Sequence, residues 1–241
     1  MTLLNKYPVK YAFLELLLSY FILTFVFPFK NVDVDFWNFN NNHYSYWLYG
    51  SFKIIFIVHF ARLTCSYNFR DEFCIPKFQF VFVWRAFLIF VKLIVCIFVV
   101  LIVLYLLFAF LFSKSLISLM EMDSSGFRWK ISSINALCLM FITSFFVGGV
   151  EELFFRSFFI TKFKQMRISS LIAGLLSSVI FACGHYYYGF IGFFVSLIFG
   201  VFFSFICLRY KNVYYSIFVH SFYNNFVSLL LFLSNYLEDV S

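Results

Sequence analysis

Two adjacent glutamates, Glu151 and Glu152, lie inside the apolar run "GGVEELFFRSFF". A carboxylate deep in a bilayer costs a few kcal/mol, so each needs a partner, a water-filled cavity or a proton. Arg156 follows Glu152 at i,i+4, with the acid on the N-terminal side, the favourable order for a helical ion pair. Neighbouring helical positions point about 100° apart, so Glu151 projects onto another face and cannot share that arginine equally. Gly148 and Gly149, one turn earlier, leave space for a second helix or a substrate backbone to approach. Two later apolar segments carry polar residues of their own. "FACGH" ends in His185, and "HSFYN" holds His220 and Asn224 on one helix face. A carboxylate, two imidazoles and a carboxamide on three packed helices suffice to activate a water and stabilise an oxyanion, which is the chemistry of hydrolysis. The same side-chain types also ligate zinc, and Glu151, His185 and His220 would form a three-ligand site with a position open to water. The chain has no H-E-x-x-H signature, and the metal-free arrangement is the one favoured, with zinc as the alternative cofactor.

"EELFFR", "FACGH" and "HSFYN" resemble, in order and spacing, the motifs E-E-x-x-x-R, F-x-x-x-H and H-x-x-x-N of the CPBP intramembrane proteases. That family contains the CAAX prenyl endopeptidases and the bacterial Abi or bacteriocin-processing proteins. The resemblance covers residues 131–232, including "IFGVFFSFICLRYKNVYYSIFVHSFYNN". It implies that Glu151 is a general base holding the attacking water with His185, and that Glu152 and Arg156 are a supporting pair. It further implies that His220 and Asn224 donate to the oxygen of the tetrahedral intermediate. The family has been described both as glutamic proteases and as metalloproteases.

The elements that must position these residues are membrane helices. Of the 241 residues 63% are hydrophobic and 12% charged, and 42 are phenylalanine, too little polar surface for a soluble domain. The fold class expected is all-α, a polytopic bundle of about seven spans near 11–29, 44–61, 84–112, 132–160, 168–187, 190–208 and 213–236. The first run lacks a small-residue cleavage site and is read as a retained span. Residues 1–130 read as scaffold and 131–241 as the catalytic helices of one integral membrane domain. Short connections such as "KFKQMR" and "RYKNVY" make the latter antiparallel neighbours.

In this topology Lys6, Lys10, Arg62, Arg70, Lys77, Lys162, Lys164, Arg167, Arg209 and Lys211 share one side. Lys30, Lys114, Arg128 and Lys130 take the other. The bias places the N-terminus in the cytoplasm and reads the net charge of +7 as a topology signal, with no nucleic-acid partner required. The partners expected are the lipid bilayer and a peptide or membrane-associated protein substrate. Size and composition favour a bacterial plasma membrane.

The six cysteines form no C-x-x-C and read as small buried hydrophobes. Asn38 to Trp47 reads as an external loop. Glu15, Lys53, His59, Arg85 and Lys92 read as interfacial, snorkelling or inter-helix residues.

Depth is the weak point of the proposed Glu151 and His185 pairing. Counting the helical rise from the cytoplasmic span ends puts Glu151 at roughly 18 Å, His220 at roughly 10 Å, Asn224 at roughly 16 Å and His185 at roughly 24 Å. The leading functional reading is an intramembrane endopeptidase cutting near the membrane surface. The alternative is a catalytically silent binding or bacteriocin self-immunity protein of the same fold. A proton-coupled transporter is disfavoured, because no internal repeat is detectable.

Overall fold

The computed structural model describes residues 7–23, 42–111, 131, 133–186 and 189–240. All regular structure among them is helical: α1 (Val9–Phe21), α2 (Asn42–Leu63), the short α3 (Phe69–Glu72), α4 (Val81–Leu111) and α5 (Ile134–Glu152). The chain continues from α5 without a break through a π-helical segment (Leu153–Phe159) into α6 (Ile160–Gln165), then α7 (Ser170–Cys183), α8 (Gly189–Tyr210) and α9 (Val213–Val240). Ser133 caps α5, its hydroxyl accepting from the Ala136 amide at 3.1 Å, and Ser169 does the same for α7 toward Ile172 at 3.4 Å.

The protein is an integral membrane helix bundle. Among the described residues, four stretches are long and apolar enough to cross a bilayer by themselves: Val81–Val100, Ile134–Gln165, Gly192–Tyr210 and Val213–Leu237. Their outward faces stay apolar, with Val95, Phe98, Val99, Ile198 and Phe205 exposed, as a lipid-facing surface requires. The remaining expected spans also contain helices but fall short of that standard. α7 has 14 residues, about 21 Å of rise against the roughly 30 Å of hydrocarbon. It ends at Gly184, where the chain turns.

Small residues let the functional helices approach. A Cβ on Gly200 of α8 would lie 3.1 Å from Ser178 Cβ of α7, and one on Gly174 would lie 3.4 Å from Ser204 Cβ. The hydroxyls of Ser178 and Ser204 meet between them at 3.1 Å. Gly174 and Ser178 on α7, with Gly200 and Ser204 on α8, thus form two facing small-xxx-small stripes, the pattern that packs helices where lipid removes the hydrophobic drive.

The turn from α6 to α7 is shorter than expected. The sequence reading placed Lys162 in a surface connection, yet Lys162 is fully buried in α6 and Gln165 beside it is too. Its ammonium donates to Glu15 Oε2 at 2.6 Å, to Gln165 Oε1 at 2.9 Å and to the Thr64 carbonyl at 3.1 Å. Gln165 in turn donates to Glu72 Oε1 at 2.7 Å, and Glu72 Oε2 accepts from the Ser66 amide at 2.6 Å. This knot ties α1, the end of α2, α3 and α6 together. It makes residues 161–165 helix interior, because a buried lysine is tolerated once its donors are all answered.

Asn42 to Trp47, expected in an external loop, belong to α2; 38–41 lie outside the described residues. Trp47 donates its indole N–H to Thr143 Oγ1 at 3.0 Å and stacks on Phe146. Cys74 and Cys207 are buried, whereas Cys96, Cys138 and Cys183 are exposed, so the reading of the cysteines as buried hydrophobes is corrected for those three. They sit on apolar outer faces where a lipid contact serves them equally well.

Candidate active site

The site forms where α5 passes into the π-helical segment and meets α9. Gly148 is the contact point. A Cβ there would stand 2.7 Å from Ser221 Oγ and 3.1 Å from the Ile217 carbonyl, so no larger residue fits without moving α9. Ser221 completes the seam, its hydroxyl donating to Ile217 O at 2.8 Å within α9 and approaching Ser144 O of α5 at 3.2 Å. One turn past this contact, Glu152 comes level with His220.

Glu152 has no exposed surface and is held on two sides. Its Oε1 lies 2.9 Å from His220 Nδ1, and its Oε2 lies 3.2 Å from Arg156 Nε. Arg156 is 1% exposed. Its guanidinium sits 4.4 Å over the ring of Phe181 and 5.8 Å from the rings of Phe155 and Phe203. Among the described residues its two terminal nitrogens have no hydrogen-bond partner. Aromatic faces therefore supply the stabilisation that water would supply elsewhere, as cation–π contacts do when desolvated. The π-helical winding of 153–159, a conformation common at functional sites, puts Arg156 and the aromatic residues around it on this side of the bundle.

His220 links the two glutamates. While Nδ1 meets Glu152, Nε2 lies 3.7 Å from Glu151 Oε2, beyond hydrogen-bond length and short enough for a charge interaction. The ring is stacked on Phe203 at 4.9 Å and edge-on to Phe181 at 6.4 Å, which fixes its plane. Glu151 differs from its neighbour in being only half-buried, with 18% of its side chain exposed. Glu152 is thus sealed into an ionic pair, while Glu151 keeps part of its side chain exposed and its Oε2, toward His220, buried without a hydrogen-bond partner among the described residues.

His185 lies in the turn that ends α7, half-buried, its Nδ1 2.8 Å from the Phe181 carbonyl and its ring 4.4 Å from the Phe181 ring. Phe181 connects it to the site, since that ring also covers Arg156 and flanks His220. α6 runs on to Gln165 and a four-residue turn returns the chain at Ser170, so the connection lies further along the chain from Glu151 than the expected span end at residue 160. Ser177 Oγ, donating to Phe155 O at 2.6 Å, secures this antiparallel register. Asn224 is half-buried one turn beyond His220, its backbone carbonyl accepting from Ser228 Oγ at 2.9 Å.

No three His, Cys, Asp or Glu side chains converge as a metal site among the described residues. His220 has Nδ1 on Glu152 and Nε2 toward Glu151.

Of the interfacial, snorkelling and inter-helix roles expected for Lys53, its 1% exposure excludes the first two and leaves the inter-helix one, with Glu151 the carboxylate whose charge acts on it. A lysine in mid-span between Gly50 and Ile54 was the available signal; nothing in the sequence showed which helix it faced. Glu15 is likewise an inter-helix partner, bound to Lys162. His59, Arg85 and Lys92 are exposed.

Residues 133–226 match the family model of the Rce1-like type II CAAX prenyl endopeptidases, and the rest of the chain lies outside that match. No curated protein and no solved structure matches the chain.

Proposed function

We propose, from the match of residues 133–226 to the Rce1-like type II CAAX prenyl endopeptidases, that this membrane protein is an intramembrane endopeptidase working through a glutamate-activated water. The observation that carries the reading is the division between two adjacent carboxylates. Glu152 is sealed between Arg156 and His220, and Glu151 faces the same histidine with part of its surface open.

In this reading Glu151, together with His185, holds a water and takes its proton as the oxygen attacks the scissile carbonyl. The carbonyl π electrons move onto oxygen, and the resulting oxyanion accepts hydrogen bonds from His220 Nε2–H and the Asn224 amide. Collapse of the intermediate breaks the C–N bond, and Glu151 returns its proton to the departing amine. Glu152 has a defined part in this sequence. If Nδ1–H donates to Glu152 while Nε2–H donates to the oxyanion, the imidazole carries both protons, and a carboxylate 2.9 Å from Nδ1 stabilises that form.

The substrate is a peptide or membrane-associated protein with its scissile bond near the membrane surface. The excess of cations on one set of connections supports a cytoplasmic N-terminus, and we place the protein in a bacterial plasma membrane.

The test compares purified wild type with Glu151→Gln on prenylated CAAX peptides and a diverse unmodified peptide library, reading cleavage by mass spectrometry with and without a chelator. Cleavage abolished by Glu151→Gln, in a protein that remains folded, and unaffected by chelator is the expected result. Chelator-sensitive cleavage would replace the water-only scheme with a metal site. Wild type that cleaves neither set while binding a peptide would favour the silent binding protein.

A further inference from the structure

One buried charge is left unused by this scheme. Lys53 of α2 is 1% exposed and belongs to the turn of α2 that packs on α5. The two helices run in the same direction in register: Trp47 meets Thr143 and Phe146, Gly50 faces Phe146 with room for only a Cβ at 3.5 Å, and Ile54 Cδ1 rests 3.3 Å from the Cβ position of Gly149. Lys53 sits between the last two contacts. The next residues of α5 are Val150, Glu151 and Glu152, and it is Glu151 whose charge acts on Lys53.

Charge accounting within the bundle agrees with this placement. Glu152 is matched by Arg156 at 3.2 Å. His220 Nδ1, at 2.9 Å, also engages Glu152, which leaves Glu151 as the carboxylate on which Lys53 acts.

We propose that Lys53 is a positioning residue for Glu151, its ammonium reaching across the α2–α5 interface to balance the carboxylate and hold it turned toward His220. The proposal rests on Glu151 being the base of the hydrolytic reading. It explains why a catalytic segment needs a scaffold helix from the other half of the chain. It also explains why the two glutamates can be adjacent: each has its own cation, one on its own helix and one on a neighbour.

The test is a double-mutant cycle read by thermal unfolding of detergent-purified protein, with Lys53→Met, Glu151→Gln and the double variant. Methionine keeps the buried stem without the charge. Lys53→Met alone should lower Tm by about 5 °C or more, because it strands a carboxylate, and adding Glu151→Gln should recover most of that loss. A single variant that fails to fold beside a double variant that folds is the same result in stronger form. Additive effects would overturn the pairing.

A kinetic arm separates positioning from packing. Lys53→Met should lower kcat at least tenfold with KM within twofold of wild type, and Lys53→Arg should restore part of the rate. Strong coupling in the cycle with an unchanged kcat would overturn the positioning role. A wild type that cleaves nothing would sink the protease reading, while the unfolding cycle would still decide whether Lys53 and Glu151 are paired.

Discussion

His220 is bound through Nδ1 to Glu152 Oε1 at 2.9 Å, sixty-eight positions away in the chain, and this contact orients the imidazole toward the more open Glu151. The consequence is that the sealed glutamate acts at a distance from the chemistry. It sets the direction of the histidine and balances the charge of the arginine without needing contact with a substrate.

Replacing Glu152 should therefore differ in kind from replacing Glu151. Glu152→Gln leaves Arg156 buried with no opposing charge at Nε and weakens the hold on His220. The expected cost is about 3–5 kcal/mol, seen as loss of the monodisperse peak when membranes are extracted and chromatographed. Glu151→Gln should elute like wild type. Equal abundance of both variants would contradict the division between a structural and a chemical carboxylate.

Gly148→Ala tests the helix contact beneath the site. Its Cβ would fall 2.7 Å from Ser221 Oγ and 3.1 Å from a backbone carbonyl that cannot swing aside, so α9 must shift away from α5. We expect a loss of about 1–3 kcal/mol and a fall in kcat, because the Glu152 to His220 contact spans that interface. Gly149→Ala meets only the end of the Ile54 side chain at 3.3 Å and should be the milder change in the same unfolding and rate assays. The reverse order would remove the α5–α9 seam as the origin of the site geometry.

Arg156→Lys keeps the charge and discards the planar group. Lysine has no guanidinium face to lay on Phe181, 4.4 Å away, and no Nε to approach Glu152 in the same place. Thermal unfolding should show a loss of about 1–2 kcal/mol relative to wild type. Full stability in the lysine variant would mean that charge alone, without the aromatic surroundings, holds the residue in the bundle.

Much of this arrangement was legible in the sequence because it depends on local periodicity. Apolar runs of membrane length imply helices whatever their neighbours, since backbone polar groups in lipid have to be satisfied within the segment. The i,i+4 spacing brought Glu152 to Arg156, the glycine pair signalled a close helix approach, and the order of polar residues along three segments marked the region that meets. These relations involve residues a turn or two apart, where helix geometry leaves few choices.

Only the tertiary structure decided the rest. That His220 turns to Glu152 as well as Glu151, that α6 extends to Gln165 because Glu15 neutralises the buried Lys162, and that Lys53 is buried inside the bundle all depend on helix register and rotation. Register is set by many distant packing contacts at once, such as Gly148 on Ser221 and Ile54 on Gly149, and no short window of sequence contains them. The π-helical winding of 153–159 also escapes periodicity, because one altered turn leaves the apolar pattern of a phenylalanine-rich segment unchanged. The sequence by itself therefore determined which residues are available for chemistry, and the fold determined which of them touch.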